Sequence, residues 1–149
     1  MKSEDIQIFI EGATNFFDIN MGKGEIQVGK PVLQNSDNSV FYEYTGMINI
    51  FGDKVGRVYF SSPIALLNHL LDVMGEKDIN DELVADIVGE VANSIAGNAR
   101  AYYGSGFCLS IPTILREDEI NVDAMKTCES YVIPLNWKGS ESSVAVWFE

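Results

Sequence analysis

The chemistry-bearing residues with the most ordered spacing are Asp86, Glu90 and Asn93, within NDELVADIVGEVANSIAGNARAYYG from Asn80 to Gly104. The run reads as one long helix. At about 100° per residue, Val84, Ile87, Val88, Val91, Ile95, Ala99 and Tyr102 collect on an apolar side. Asp86, Glu90, Asn93 and Gly97 collect opposite them, within an arc of about 60° on the same rule. Asp86 to Glu90 is a four-residue step and Glu90 to Asn93 a three-residue step, so the three side chains point the same way. Gly89, Ala92, Ser94 and Ala96 lie between or beside them. Glycine in a helix interior costs about 1 kcal/mol relative to alanine, and a face selected for stability alone would carry Glu, Lys or Arg at 89 and 97. Two readings fit. One is an ordinary solvated face with a glycine packed under another element. The other is a working surface where a carboxylate and a carboxamide meet a second backbone.

No other residues form a comparable group. His69, the only histidine, lies among leucines and reads as packing. Cys108 and Cys128, with no CxxC, read as small buried residues on strands in a reducing compartment. No Cys/His cluster has zinc spacing, so no metal site is expected. Gly104-Ser105-Gly106 is a helix stop rather than a nucleophile elbow. Glu117, Asp118 and Glu119 lack calcium-loop spacing and read as a solvated loop.

The whole chain, 149 residues with 46 % hydrophobic and 21 % charged, suits a single domain spanning residues 1–149. Ten Lys and Arg against 22 Asp and Glu leave a net charge of −12, which excludes a nucleic-acid or anionic-membrane partner. A protein partner or a cationic ligand remains open. The N-terminus MKSEDIQIFIEG is no signal peptide, and no apolar run reaches the ~18 residues of a membrane span, so a soluble cytoplasmic protein is expected.

The elements that must position the polar face follow from periodicity. Ser3 to about Asn20 is a helix with Ile6, Phe9, Ile10, Ala13, Phe16 and Phe17 on one side, capped by Ser3 and stopped by Gly22 and Gly24. Glu25 to Leu33 is a strand that Pro31 assigns to an edge or a bulge, followed by a turn at Gln34 to Ser39. Ser39 to Phe51 is a long strand. Its Gly46 suits a bulge or a neighbouring backbone, and Gly52-Asp53-Lys54 turns it into Val55 to Ser61. Ser62 caps a second helix with Pro63 at its first position, running to Met74. After the third helix come strands Phe107 to Leu115, Cys128 to Trp137 and Ser143 to Phe148, the last two joined through Lys138 to Glu141, with a polar connection at Arg116 to Thr127. The order α-βββ-αα-βββ predicts a two-layer α+β fold with helices on a largely antiparallel sheet. No βαβ alternation and no GxGxxG loop is present.

Asp86-x3-Glu90-x2-Asn93, followed by Gly97 and later Ile111-Pro112, resembles the signature of the CheC/CheX/FliY phosphatases, which dephosphorylate the chemotaxis response regulator CheY. The resemblance extends over nearly the whole chain, through Val28-Gly29-Lys30-Pro31 and Phe60-Ser61-Ser62-Pro63. CheC-type members carry the Glu-x2-Asn pair on two helices. Here Glu11 is followed at the third position by Thr14, so the single motif is similar to CheX, whose relatives are dimers.

The resemblance implies hydrolysis of an aspartyl phosphate on a CheY-like receiver domain that brings its own Mg2+, with no cofactor in this chain. Asn93 would hold the attacking water in line, and Glu90 would pair with the receiver's lysine. Asp86, Gly89 and Gly97 would meet the partner, with Ala96 and Gly97 allowing close approach. The resemblance also implies a homodimer, for which the aromatic strand surface near Phe41 to Met47 is a candidate. Two rivals are a non-catalytic adaptor that keeps the fold and binds a receiver, and a structural piece of a flagellar switch.

Overall fold

The computed structural model describes residues 1–34, 41–120 and 130–149. Helix α1 (Ser3–Met21) buries Ile6, Ile8, Phe9, Ala13, Phe16 and Phe17. Ser3 is already inside the helix. The capping is done by Asp5, whose carboxylate accepts the Lys2 backbone N–H at 2.7 Å, where the helix dipole also favours negative charge. Gly22 ends the helix with φ 107°, a conformation only glycine adopts freely.

The expected first strand is divided into β1 (Gln27–Val28) and β2 (Val32–Gln34). Both pair with the same later strand, and the residues between them, with the donor-less Pro31, slip the register by one: Val28 faces Leu135 while Val32 faces Val132. The turn expected at Gln34 to Ser39 lies, beyond Gln34, outside the described residues, as does Val40. Strand β3 (Tyr44–Gly52) and β4 (Gly56–Ser62) then pair without interruption from Tyr44 opposite Ser62 to Ile50 opposite Gly56. Gly46 is therefore no bulge.

Helix α2 (Ile64–Val73) starts one residue later than expected. Pro63 is the flanking residue, and the first helical N–H, at Ile64, is accepted by the Glu43 carboxylate at 3.0 Å, not by Ser62. Helix α3 (Asp81–Tyr103) is capped by Asn80, whose side-chain oxygen accepts the Leu83 N–H at 2.9 Å, and ends at Gly104 with φ 94°. The strand expected at Phe107 to Leu115 is also divided, into β5 (Phe107–Leu109) and β6 (Thr113–Arg116), followed by a 3-10 turn at Glu117–Glu119. Cys128 and the connection from residue 121 onward lie outside the described residues. Strands β7 (Ser130–Trp137) and β8 (Ser140–Phe148) meet in a tight turn of only Lys138 and Gly139. Both have positive φ, 47° and 84°, the turn whose twist matches an antiparallel pair.

The sheet runs β1-β7-β8-β4-β3-β5, with β2 also on β7 and β6 also on β3, and every pairing is antiparallel. The three helices cover one face, giving the two-layer α+β architecture. Phe9 and Phe17 of α1 meet Phe148 and Phe60 of the sheet, and Leu66, Leu67 and Leu70 of α2 are fully buried with Val88, Val91 and Ile95 of α3. Each such side chain contributes roughly 1.5–3 kcal/mol by leaving water. On the opposite face Tyr59, Val132 and Ala145 form a smaller core with half-buried Phe41 and Met47. The surface expected near Phe41 to Met47 is thus partly covered within the chain, with both side chains left half-exposed. His69 stacks on Trp137 at 4.0 Å, in line with a packing role. Among the described residues, no helix is long and apolar enough to cross a membrane.

Candidate functional site

The rotation of α3 about its axis decides which side chains reach solvent, and close backbone contacts fix it. A side chain at Gly46 of β3 would fall 2.8 Å from the Val88 carbonyl, and one at Gly12 of α1 would fall 3.1 Å from the Ile95 carbonyl. The helix therefore sits against the sheet at a distance only glycine permits, and against α1 at one where any added carbon would push the Ile95 backbone back by a few tenths of an ångström. The Asn98 side-chain amide donates to the Ile8 carbonyl at 3.1 Å, tying α3 to α1 again.

At the end of α3 the Tyr103 hydroxyl donates to the Asp5 carboxylate. Burial works to raise the Asp5 carboxyl. The hydrogen bonds from Tyr103 and the Lys2 N–H, with the nearby Lys54, outweigh it and hold the group below its usual value. Burial, and then the Asp5 hydrogen bond, push the Tyr103 phenol well above its usual value. Tyr103 also stacks on Phe107 at 4.9 Å. Tyr102, expected on the apolar side, is 67 % exposed, and Tyr103 takes the packing position instead. Over a helix of this length the apolar stripe drifts by one residue toward the close.

With α3 so fixed, Asp86, Glu90 and Asn93 are exposed and Gly97 half-exposed. None of the three polar side chains has a hydrogen-bond or ionic partner among the described residues. Gly89 departs from the expected partner surface. It is buried, and a side chain there would fall 2.9 Å from Cδ1 of Ile114 and 3.5 Å from Cβ of Pro112, so its smallness serves β6 rather than a partner. Ala96 is likewise fully buried. Gly97 is the opposite case. A side chain built there meets nothing within 4 Å outside its own helix, and its φ is not positive. Neither backbone conformation nor internal packing requires glycine at 97.

Beside this face lies an open cleft of about 760 Å³, lined by Asn93, Gly97 and Arg100 on α3 and by Ser110, Ile111 and Pro112 across from them. The latter three form a bulge at the sheet edge. Leu109 faces Ile50 and Thr113 faces Met47, so three residues oppose only Ile48 and Asn49. Ser110 is pinned by the Asn49 backbone, donating its N–H to the Asn49 carbonyl at 3.0 Å and accepting the Asn49 N–H on Oγ at 2.9 Å. Arg100 was legible as the next step along the Asn93–Gly97 stripe. The bulge was not, because Ser110-Ile111 reads as continuous strand.

Among the described residues no three His, Cys, Asp or Glu side chains are grouped to hold a metal ion. What the face can do is enter another molecule's site, offering an anionic acceptor at Glu90 and a neutral donor–acceptor at Asn93.

Residues 44–136, a span containing both groups, match the family described as chemotaxis phosphatase CheX. No curated protein matches the chain. Among solved structures it is similar to a protein provisionally described as a chemotaxis protein from Desulfovibrio vulgaris Hildenborough, with TM-score 0.79 and 27 % identity over 98 % of this chain and 97 % of that one. It is similar to a CheC-like superfamily protein from Shewanella sp. PV-4, with TM-score 0.82 and 23 % identity over 100 % and 99 %. A third likeness is to a chain of the CheX–CheY–BeF3–Mg2+ complex from Borrelia burgdorferi, with TM-score 0.77 and 19 % identity over 99 % of each.

Proposed function

The chain belongs to the chemotaxis phosphatase CheX family, and from that premise we propose that it hydrolyses the aspartyl phosphate of a CheY-like receiver domain. The reading is carried by Glu90 and Asn93, exposed and without a partner among the described residues, on the closely seated α3 inside the span that matches the family. In the step itself, the oxygen of a water attacks phosphorus. The bond from phosphorus to the aspartyl oxygen breaks, and aspartate and inorganic phosphate leave. Such a transfer needs positioning and charge placement more than covalent help.

Asn93 supplies the positioning. Its carboxamide accepts a hydrogen bond from the water and stays neutral at every physiological pH, so it holds the water in line without repelling the phosphoryl oxygens. Glu90 would repel a phosphate unless it met a cation, and the receiver's lysine is the cation assigned to it. Asp86, one turn back, contacts the rim. The Mg2+ arrives with the receiver; the Borrelia complex contains CheY, BeF3 and Mg2+ together, and this chain's part is confined to orientation. The empty space at Gly97 admits the partner's backbone.

The test mixes the protein with CheY-like receivers phosphorylated by a small-molecule donor and follows phosphate loss. Acceleration abolished by Asn93→Ala supports the proposal. Binding without acceleration identifies the adaptor on the same fold and overturns the catalytic reading. Dimerisation is a separate proposal. Its support is the half-exposed Val32 and Leu33 on β2 at the sheet margin, apolar side chains on a strand edge that a second copy could cover. A monomer in sedimentation equilibrium at micromolar concentration would remove it.

A further inference from the structure

We propose that the cleft between the second half of α3 and the Ser110–Pro112 bulge is the receiver's second foothold, with Arg100 and Ile111 setting which receivers dock. The inference rests on the receiver-phosphatase reading and adds to it the chemistry of the segment recognised. That segment is a receiver surface loop next to the phosphorylation site, carrying one acidic and one apolar side chain.

The electrostatic problem comes first. A chain of net charge −12 must approach a phosphorylated site, and a site that holds Mg2+ through oxygen ligands presents carboxylates around it. Two negative surfaces repel. Among the described residues Arg100 is the only charged one lining the cleft, and it has no ionic partner there. It lies seven residues beyond Asn93, about 10 Å along the helix, with Gly97 between them. That places a cation at the rim of the docked phosphorylation site and away from the phosphorus. A lone positive group there attracts a rim acid and rewards the one approach that also brings Asn93 to the phosphate. Its place in the last turn of α3 suits the helix dipole too, but that role needs no cleft beside it.

Ile111 supplies the apolar part. It is 85 % exposed, the most exposed large hydrophobic residue of the described chain, and it stands on a bulge pinned by Asn49 rather than on a mobile tip. Bulges re-aim side chains beside functional sites, and this one directs isoleucine out of the edge next to Asn93. The clearance at Gly97 leaves the floor between Arg100 and Ile111 open.

The experiment measures phosphate release from a CheY-like receiver that the wild-type protein accelerates, as a function of receiver concentration and ionic strength. The variants are Arg100→Glu, Ile111→Ser and Asn93→Ala. Both cleft side chains are exposed, and an unchanged unfolding temperature confirms folding. Arg100→Glu is expected to raise KM roughly tenfold at low salt with kcat unchanged, the rise shrinking as salt screens the pair. Ile111→Ser is expected to raise KM about threefold or more at every salt concentration. Asn93→Ala reports the other way, lowering kcat. Wild-type KM in both cleft variants, alongside an inactive Asn93→Ala protein, overturns the foothold and leaves the phosphatase reading standing. A KM penalty for Arg100→Glu that does not change with salt also overturns it, since a structural disturbance would not be screened. Failure of the wild-type protein to bind or accelerate any receiver removes both.

Discussion

Gly97→Ala should make the protein more stable and a poorer phosphatase, two effects of opposite sign from one methyl group. Alanine is about 1 kcal/mol better than glycine in a helix interior. At position 97 nothing opposes that gain, because the added carbon meets no atom within 4 Å outside its own helix and the backbone φ is not positive. For a chain of this size roughly 1 kcal/mol raises the unfolding temperature by about 2–4 °C. In the docked state the same space is assigned to the receiver's backbone. An added methyl that must be accommodated against a rigid neighbour costs about 1–3 kcal/mol, roughly a fivefold to hundredfold rise in KM. Gly97→Leu should enlarge the loss without lowering the unfolding temperature below the wild type's. The assays are thermal unfolding by circular dichroism and phosphate release at varied receiver concentration. A stabilised Gly97→Leu protein with wild-type KM would show that the space is merely solvent, and the close-approach argument would fail. The contrast is Gly89→Ala, where Cδ1 of Ile114, 2.9 Å from the new carbon, must swing aside and offsets the helix gain, so the unfolding temperature should rise less than for Gly97→Ala.

Asn93→Ala should lower kcat by about a hundredfold or more while leaving the affinity for a BeF3-treated receiver within a factor of about two, since it removes orientation rather than anchoring. Glu90→Ala should weaken that affinity about tenfold or more, read by titration calorimetry, because a charge-assisted bond is lost. Gly46→Val should cost about 1–3 kcal/mol in urea unfolding, as its first carbon alone would lie 2.8 Å from the Val88 carbonyl. The Tyr103–Asp5 bond ties stability to pH in a defined direction. Because the folded Asp5 carboxyl is held low, its contribution is present above the ordinary carboxylate value and is lost as pH falls through the folded value. Because the Tyr103 phenol is held high, its contribution is full below its ordinary value and is lost as pH rises toward the folded one. Tyr103→Phe should cost about 1 kcal/mol at neutral pH, a low figure because Asp5 is only half-buried, and should cost less at a pH where Asp5 is protonated and only a neutral hydrogen bond remains to be lost. An equal loss at both pH values would refute the assignment.

The α3 apolar stripe from Val84 to Ala99 was legible because six core positions, Val84, Ile87, Val88, Val91, Ile95 and Ala99, repeat at one period, and hydrophobic burial imposes that period on any helix lying against a sheet. The polar stripe was legible for the same reason, as its complement. Other features depend on contacts distant in sequence. Gly89 and Gly97 are indistinguishable in sequence, both small residues beside the polar face, and only β6 packing under one of them separates their roles. The cap of α2 comes from Glu43, which precedes Ile64 by 21 residues, so local signals pointed to Ser62 instead. The bulge at Ser110 to Pro112 arises from how β3 is shared between β5 and β6, a pairing that no window on either strand contains.

The seating of α3 bears on how the proposed half-site would work. In the proposed reaction Glu90 and Asn93 would act only if their separation and direction were set before the partner arrived, since ordering a flexible segment on docking would subtract about 1–2 kcal/mol per residue from binding. A loop could present the same two residue types, but not at a fixed three-residue step. Here the backbone of α3 is held at Val88 by Gly46, at Ile95 by Gly12, and at Tyr103 by Asp5, contacts spread over the length that bears the polar face. What is left free is the side chains themselves, which find no partner among the described residues and can take the geometry of the receiver. The consequence is separable in experiment. Loosening the seat through Gly12→Ala, whose new carbon would meet the Ile95 carbonyl at 3.1 Å, should lower kcat and affinity together while both polar side chains remain. Loss of stability with kcat and KM unchanged would show that aim does not depend on the seat.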